Sequence, residues 1–255
     1  MPLEAPRSQY RQLADLLRSA IERGEYAPGS VLPSEPELSQ RYSVSRPTIN
    51  RAVSILRSQG LVRVDRGRGT IVREIPVIRR AAVTRYERSE RERADARGAF
   101  DAEMHRLGMT PRSDVEVSQA VPPPEVAQAL RLPEGQDNTI VRRRQMYANN
   151  VPVQLAVSYI PADIAAGTRL AEPDPGPGGI ISRFADLGYA QARITETVRV
   201  RVASDEERQF LRLDADQAVI EIWHAGWTGD DRPVEVCVHA MPAYLWTLDY
   251  EWPTG

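Results

Sequence analysis

The chain has 255 residues, of which 42% are hydrophobic and 27% charged, which is enough for one large or two ordinary domains with buried cores. All 33 basic residues are arginine, and this excludes enzymes whose chemistry needs a catalytic or phosphate-binding lysine. With one cysteine, Cys237, and three scattered histidines, we expect neither a disulfide framework nor a metal or other cofactor.

The net charge of −2 hides an uneven distribution along the chain. Residues 1–75 carry a net charge of +4, whereas residues 114–255 carry −9. The basic amino-terminal part is suited to bind a polyanion such as nucleic acid, and the acidic carboxy-terminal part is not. The first residues do not have the pattern of a signal peptide, and no apolar run is long enough to cross a bilayer. We therefore expect a two-domain cytoplasmic protein without a membrane contact.

Two helices are predicted near the amino terminus. The first begins after Ser8 and ends at Gly24, because its apolar residues recur at helical spacing between these two residues. A turn at Pro28 follows. Ser34 and Glu37 have the spacing of a capping box, which starts a short second helix.

A third helix is predicted between Ser45 and Gly60, and a hairpin follows it. The apolar residues of this helix face inward, and its outward positions include four polar or basic residues: Arg46, Thr48, Asn50 and Arg51. The tip of the hairpin carries Arg66 and Arg68 on a flexible glycine-containing turn.

Three helices followed by a basic hairpin are typical of proteins that place one helix in the major groove of DNA. There, asparagine pairs with adenine and arginine with guanine, while arginines of a wing contact phosphates or the minor groove. For any single arginine, a solvated position on the surface of a helical domain is the alternative.

A resemblance to the winged helix-turn-helix domain of the GntR family of bacterial repressors is carried by YRQLADLLRSAIERGEYAPGSVLPSEPELSQRYSVSRPTINRAVSILRSQGLVRVDRGRGTIV. It covers nearly all of residues 9–73. The resemblance implies operator contacts from Ser45, Arg46, Thr48, Asn50, Arg66, Gly67 and Arg68, to which we add Arg51 of the same helix. Many members carry arginine where this chain has Pro36 and Asn50, so the operator sequences of relatives do not predict the operator of this chain.

The segment 76–99 alternates in charge and shows little apolar periodicity. This pattern favours a solvated helix or loop over a dedicated ligand site. We predict that it joins a DNA-binding domain, residues 1–75, to a second domain, residues 100–255. The ordering of this linker is expected to set the spacing of the DNA-binding heads.

The second half contains an internal repeat with a constant offset of 81 residues. AQALRLPEGQDNTIVRRRQMYANNVPVQLAVSYIP aligns without a gap to RQFLRLDADQAVIEIWHAGWTGDDRPVEVCVHAMP. Each copy is predicted to form a short helix followed by a hairpin. Strand pairs backed by helices indicate an α+β domain.

This half resembles the UTRA domain of the HutC branch of the same family, through FDAEMHRLGMTPRSDV, RQMYANNVP followed by SYIP, and DDRPVEV. The resemblance implies a fold related to chorismate lyase that binds a small ligand without catalysis and forms a dimer. RYERSERERADARGAF and GPGGIISR are similar to actinomycete regulators, including some that repress plasmid-transfer genes.

Candidate effector-binding residues follow from the resemblance and from the repeat. Relatives imply Arg144, Ser158, Glu196 and Glu235, and we add His239 because it matches Ser158 in the other copy. An exposed ion pair, solvated strand carboxylates and a structural histidine are the alternative roles. Together these side chains favour a polar effector.

Two departures from the sugar-phosphate-sensing relatives bear on the effector. Met146 replaces the second arginine of their R-x-R, and Gly98-Ala99 stand where they tend to carry serines. Phosphate donors are thereby lost, although a helix beginning near Phe100 can still offer backbone amides to an anion. A larger or less acidic effector is as compatible with the sequence as a phosphorylated sugar.

The sequence thus predicts a homodimeric transcription factor, favoured as a repressor, that binds an inverted-repeat operator in double-stranded DNA and responds to a small polar effector. The alternative is an enzyme with residual lyase or hydrolase activity in its second domain. No nucleophile and base stand in a catalytic motif, so we expect no enzyme. A nucleoid-type architectural protein would not need a ligand domain larger than its DNA-binding domain.

Overall fold

The computed structural model of the chain describes residues 8–65, 67–75, 77–82, 84–91, 96–215 and 217–252. It divides into two compact units, Met1–Pro76 and Val77–Gly255. Arg66, predicted at the tip of the hairpin, lies outside the described residues. None of the described helices is both long and apolar enough to span a bilayer.

The first unit contains the three predicted helices and the predicted hairpin. Its elements are α1 Gln9–Glu22, α2 Glu35–Tyr42, α3 Arg46–Ser58, β1 Val62–Asp65 and β2 Gly69–Val72. The capping box at α2 is present: the Ser34 backbone N–H donates to the Glu37 carboxylate at 2.7 Å, and the Ser34 hydroxyl donates to it at 2.6 Å. Ser43 ends α2 in the left-handed region, with φ of 52°, and this sharp turn separates α2 from α3.

The core of the first unit lies where the three helices meet. Its largest buried side chains are Leu17, Leu38, Ile49 and Leu56, each 2% exposed or less. Burial of each stabilises the unit by about 1.5–3 kcal/mol. The antiparallel strands β1 and β2 close the core from one side, and the segment before α2 adds a bridge from Val31 to Ile71.

The second unit is an α+β domain, as predicted. Its elements are β3 Ile78–Ala81, a 3-10 turn Thr84–Tyr86, α4 Arg88–Arg91, α5 Ala99–Arg106, β4 Pro111–Ala120, α6 Pro124–Ala129, β5 Thr139–Ala148, β6 Val151–Pro161, α7 Ala162–Ala165, a 3-10 turn Arg169–Ala171, α8 Gly179–Asp186, β7 Arg193–Val202, α9 Asp205–Leu211, β8 Ala218–Trp227, β9 Pro233–Pro242 and β10 Trp246–Asp249. Six of the strands form one antiparallel sheet in the order β4-β5-β6-β9-β8-β7, and β3 pairs in parallel with β10.

The internal repeat gives the sheet a pseudo-twofold axis. Strands β6 and β9 pair at its centre, where Val157 lies opposite Val238, and these residues are 81 positions apart in the sequence. β4 and β7 are the two edge strands of the sheet, one from each copy, and the helices α5 and α8 that precede them begin 80 residues apart. Each copy is therefore larger than the predicted helix plus hairpin, because it also includes the preceding helix and strand. Those segments keep the same fold with little sequence identity.

The joining segment differs from the solvated helix or loop that its charges predict. Residues 78–81 form β3, and the Arg80 side chain is 1% exposed. The physical reason is that its charge is paired with Glu196, which lies 116 residues away and is invisible to local patterns. Ile78 is also fully buried, so the first residues of the second unit belong to its core.

The two repeat-related helices α5 and α8 begin where their backbone segments lie in close contact. Gly98 directly precedes α5 and Gly179 is the first residue of α8, and the Gly179 Cα lies 3.7 Å from the position of a Cβ on Gly98. A Cβ on Gly179 would lie 2.6 Å from the Arg97 carbonyl oxygen and 2.9 Å from the Gly98 Cα. Only glycine fits this approach without displacing main chain.

Replacement of Gly179 by alanine tests this constraint, with Gly188→Ala as the matched control. Both glycines have a positive φ, of 68° and 84°, but a Cβ on Gly188 meets no atom within 4 Å. Backbone strain alone should cost about 1 kcal/mol at Gly188, and the added overlap at Gly179 should raise the loss by about a further 1–3 kcal/mol. Denaturant unfolding followed by tryptophan fluorescence measures both, since all four tryptophans lie in the second unit. Equal losses would contradict the close approach.

Candidate functional site

The amino-terminal end of α3 presents most of the residues predicted to contact DNA. Ser45, Arg46, Asn50 and Arg51 are exposed, and Thr48 is half-buried. The Ser45 and Thr48 hydroxyls lie 2.9 Å apart, so they share one hydrogen bond across the first turn of the helix. Both therefore remain at the surface from which α3 would enter a groove.

Arg46 has a partner that the sequence pattern did not suggest. Its guanidinium, 79% exposed, forms an ion pair with Glu35 at the start of α2. An exposed pair of this kind contributes at most about 1 kcal/mol to stability. Its effect is to orient Arg46 at the junction of the two helices rather than to hold the fold together.

The remaining predicted contacts lie farther along α3 and in the hairpin. The Arg51 guanidinium is 5.9 Å from the centre of the Tyr10 ring, so it leans toward α1. Gly67 and Arg68 are exposed at the tip of the hairpin. Apart from half-buried Thr48, every described member of the predicted DNA-binding set is accessible to solvent.

The second unit contains a cavity of about 610 Å³ on one face of its six-stranded sheet. This volume is in the range that small-molecule ligands occupy. Strands β4, β5, β6, β8 and β9 supply its floor, and the starts of α5 and α8 with the turn Thr84–Tyr86 supply its walls. Three of the five predicted effector residues, Arg144, Glu235 and His239, line it.

A chain of hydrogen bonds connects two of these residues beneath the cavity. Arg144 Nη2 donates to the Ser158 hydroxyl at 2.6 Å and lies 3.1 Å from the Cys237 sulfur. The Ser158 hydroxyl in turn donates to Glu235 Oε1 at 2.7 Å. Ser158 is fully buried and does not line the cavity, so the structure places it behind the wall, where it fixes Arg144 and Glu235.

His239 and Cys237 are uncharged in this environment. Desolvation, together with the positive charges of Arg80 and Arg144, holds the pKa of His239 well below its usual range. Its Nδ1 lies 3.0 Å from the Gln154 side-chain nitrogen, which assigns Nδ1 as the acceptor and leaves the proton on Nε2. Burial raises the pKa of the Cys237 thiol to about 11, so it is not a thiolate nucleophile at neutral pH.

Arg142 also lines the cavity, although sequence reasoning did not single it out. It is 2% exposed, and its guanidinium donates to the carbonyls of Leu170 at 2.8 Å and of Pro173 at 3.1 Å. Desolvation and the neighbouring Arg144 lower its pKa to about 10, which still leaves it charged at neutral pH. Strand alternation could have identified Arg142, because residues two apart on a strand share one face and Arg142 lies two positions before Arg144.

The structure places Glu196 outside the cavity wall. It accepts from Arg80 Nη1 at 2.9 Å, from the Tyr86 hydroxyl at 2.6 Å and from the Tyr250 hydroxyl at 3.1 Å. Desolvation alone would raise the pKa of Glu196, but hydrogen bonds from His224, Arg80 and Tyr86 hold it well below its usual range. Glu196 is therefore a buried carboxylate that binds the segment following the first unit.

Tyr86 and His224 connect this ion pair to the cavity. Both line the cavity, the Tyr86 hydroxyl lies 3.1 Å from His224 Nδ1, and the two rings stack with centroids 5.3 Å apart. On the other side, His224 Nε2 lies 3.9 Å from Glu235 Oε2. Continuous contacts thus run from Glu235 in the cavity to Arg80 on β3.

A second buried carboxylate, Glu103 of α5, holds the same segment. It accepts from the Ala81 backbone N–H at 3.2 Å and from Arg85 Nη1 at 3.4 Å. The Arg85 and Glu103 side chains are 7% and 3% exposed. Because Arg85 lines the cavity, β3 and the turn Thr84–Tyr86 are attached to its wall at two points.

The start of α5 carries its own negative charge. Asp101, in the first turn, lines the cavity and accepts from the Arg97 backbone N–H at 3.2 Å. Burial is the main cause that raises its pKa. An anionic ligand at this helix start, which the sequence left open, would have to approach this carboxyl group.

Comparison with known proteins identifies both units. Residues 9–72 match the family described as bacterial regulatory proteins, gntR family, and residues 106–244 match the UTRA domain. An uncharacterized HTH-type transcriptional regulator of Streptomyces coelicolor is 34% identical, over 98% of this chain and 95% of its own length. The HTH-type transcriptional repressor NagR of Bacillus subtilis is 26% identical, over 94% of this chain and 92% of its own length.

Solved structures share the fold. The crystal structure of PhnF from Mycobacterium smegmatis superposes with a TM-score of 0.60 at 20% identity, over 95% of this chain and 99% of that protein. The resemblance drawn from the sequence to both domains is confirmed, as is the predicted fold class. The curated relatives are transcriptional regulators rather than enzymes, in agreement with the prediction for this chain.

The buried ion pair predicts a pH-dependent loss of stability in Glu196→Gln. At pH 7, breaking the pair should cost about 3–5 kcal/mol in the free energy of unfolding, because Arg80 is left buried and unpaired. The folded-state pKa of Glu196 is depressed, so its stabilisation is complete above the unfolded value of about 4.3 and declines below it, by about 1.4 kcal/mol per pH unit. The difference from wild type should therefore be constant above about pH 5 and narrow in more acidic solution.

Denaturant unfolding at pH 7 and pH 3.5, followed by tryptophan fluorescence, measures this difference. Glu206→Gln is the matched control, since Glu206 pairs with Arg143 at 2.6 Å but is 66% exposed; it should lose no more than about 1 kcal/mol. Equal losses in the two variants, or no dependence on pH, would refute the assigned pairing.

Proposed function

Since this chain belongs to the GntR family of bacterial regulatory proteins and carries a UTRA domain, we propose that it is a homodimeric repressor that releases an inverted-repeat operator when a small polar effector enters its cavity. Two observations support this proposal. The amino-terminal end of α3 is exposed and polar, and the second unit has a cavity of about 610 Å³ with charged and polar walls.

In the proposed complex, α3 reads the operator in the major groove. There Arg46, which forms an ion pair with Glu35, pairs with a guanine, and Asn50 pairs with an adenine. Ser45, Thr48 and Arg51 surround them on the same helix, and the wing residues Arg66, Gly67 and Arg68 contact phosphates or the minor groove. Control of plasmid-transfer genes stays a prediction that rests on sequence likeness.

The proposed effector is polar and less acidic than a phosphorylated sugar. Arg142 and Arg144 on the floor offer positive charge, Glu235 offers a hydrogen-bond acceptor, and the neutral His239 offers its Nε2 proton. Asp101 at the start of α5 disfavours a phosphate group there. A ligand with hydroxyl or amide groups and at most one carboxylate satisfies these contacts best.

Effector binding is proposed to act on DNA through residues 78–86. This segment follows the DNA-binding unit directly in the chain. Its residues Arg85 and Tyr86 line the cavity and donate hydrogen bonds to Glu103 and Glu196, respectively. A ligand that displaces the Tyr86 ring would weaken the hold of Glu196 on β3. By linkage, DNA must weaken effector binding by the same factor, typically by about 1–3 kcal/mol.

Replacement of Arg46 by alanine should weaken operator binding by about 1–3 kcal/mol if its guanidinium reads a base. The operator is first obtained by selecting genomic fragments that bind the purified protein, and affinity is then measured by fluorescence anisotropy at physiological salt. Arg23→Ala is the control, because Arg23 is exposed in the same unit but pairs with Glu25 at the far end of α1. Loss of affinity in both variants, or in neither, would show that Arg46 does not contact the bases of the operator.

A ligand that raises the melting temperature of the protein should also change amide exchange at Ile78–Ala82. The backbone N–H of Ile78 donates to the Leu245 carbonyl at 2.7 Å and that of Ala82 to the Asp249 carbonyl at 2.8 Å, so both protons report directly on the β3–β10 pair. Polar metabolites are screened by melting temperature, and exchange is followed by mass spectrometry. Glu235→Ala should lose the ligand response and keep normal operator affinity; unchanged exchange with bound ligand would refute the coupling.

A further inference from the structure

An acidic side chain lies among the residues proposed to contact DNA. Glu35, the first residue of α2, forms its ion pair with Arg46, the first residue of α3, and its side chain is 35% exposed. The phosphates of a duplex repel a carboxylate on such a surface. The position of Glu35 beside Arg46 therefore needs a reason other than attraction to the DNA backbone.

The stability of α2 does not supply that reason. Ser34 and Glu37 already form the capping box at the start of this helix, and a capping box satisfies two free backbone N–H groups without help from Glu35. The attraction of an exposed carboxylate to the helix dipole, and to an exposed arginine, adds little to stability. One good contact to a base, in contrast, changes the affinity for DNA by about tenfold or more.

The ion pair leaves atoms of both side chains available to a base. Arg46 donates through Nε to Glu35 Oε2, so this bond engages neither of the two Nη groups of the guanidinium nor Oε1 of the carboxylate. The Arg46 side chain is 79% exposed. The pair thus presents two donors from Arg46 next to one acceptor from Glu35.

This arrangement is complementary to the major-groove edge of one base pair. A G·C pair presents two acceptors, N7 and O6 of guanine, followed by one donor, the N4 amino group of cytosine. An A·T pair presents an acceptor, a donor and then a second acceptor, O4 of thymine. That oxygen would face the carboxylate of Glu35 and repel it. Arg46 and Glu35 together therefore match a G·C pair and not an A·T pair.

The rest of α2 leaves the carboxylate of Glu35 to Arg46. The next residue, Pro36, is uncharged and has no backbone N–H. Within α2, all of which the structure describes, the one basic residue is Arg41, and it lies in the last turn. Its guanidinium donates to the Tyr26 hydroxyl at 3.1 Å, away from the start of the helix.

We propose that Glu35 reads cytosine: while Arg46 binds a guanine of the operator, Glu35 accepts a hydrogen bond from N4 of the cytosine paired with that guanine. The inference rests on the proposed reading of the operator by α3 and adds an acidic residue of α2 to it. Because the two side chains are paired before DNA arrives, they lose little conformational freedom on binding. Since the pair is neutral as a whole, the phosphates repel it less than a lone carboxylate.

A modified operator separates this contact from the one made by Arg46. The base pair is first located as the position at which Arg46→Ala no longer distinguishes G·C from the other pairs. N4-methylcytosine is then placed opposite that guanine, where it keeps the Watson–Crick hydrogen bonds and replaces the groove-facing hydrogen of N4 by a methyl group. Wild-type affinity, measured by fluorescence anisotropy at physiological salt, should fall by about tenfold or more. An unchanged wild-type affinity would overturn the inference on its own.

The variant Glu35→Ala should bind the plain and the methylated operator equally, because it has no acceptor to lose. Glu25→Ala is the matched control, since it removes the same charge from an exposed ion pair, with Arg23, at the far end of α1; it should respond to methylation as the wild type does. An equal loss on methylation in wild type and Glu35→Ala would show that Glu35 does not contact the cytosine.

Two further outcomes distinguish the inference from its alternatives. A gain of affinity in Glu35→Ala for every operator, plain or methylated, would show that the carboxylate only repels phosphates, and this would also overturn the inference. If no base pair depends on Arg46, the proposed reading by α3 fails as a whole. A guanine that depends on Arg46 but tolerates methylation of its cytosine contradicts only the role of Glu35.

Discussion

The buried pair between Arg80 and Glu196 is the interaction on which the organisation of the second unit depends. A guanidinium that is 1% exposed is tolerated only with a partner that neutralises it and accepts its protons. Glu196 and Tyr86 meet both needs. The pair holds β3 against the sheet, which gives β10 its parallel partner and places the Tyr86 ring in the wall of the cavity.

The two copies of the repeat carry different side chains at equivalent positions of their edge strands. Val115 of β4 and Glu196 of β7 are equivalent by the offset of 81, and Val115 lines the cavity while Glu196 binds the chain's own Arg80. Equivalent positions of the duplicated strands therefore serve different ends: a neutral side chain lines the cavity in one copy, and a carboxylate binds an internal arginine in the other.

Features set by neighbours in sequence were predictable, and those set by distant partners were not. The capping box of Ser34 and Glu37 follows from local spacing, whereas the resemblance to relatives supplied Arg144 and Glu235, which line the cavity. Local patterns do not reveal that Arg80 pairs with Glu196, and for this reason the charges of the joining segment predict a solvated helix or loop. They also do not show which polar residues lie behind a wall: Ser158 and Glu196 support the cavity without lining it, and Arg142 was missed.

The hydrogen-bond chain through Ser158 has a consequence for selectivity. Since its hydroxyl accepts from Arg144 and donates to Glu235, the direction of each bond is fixed before any ligand arrives. An isosteric metabolite with donor and acceptor exchanged would leave a desolvated group unsatisfied, which is the most severe penalty that a polar site imposes. Such a pocket discriminates by the polarity pattern of a molecule more than by its size.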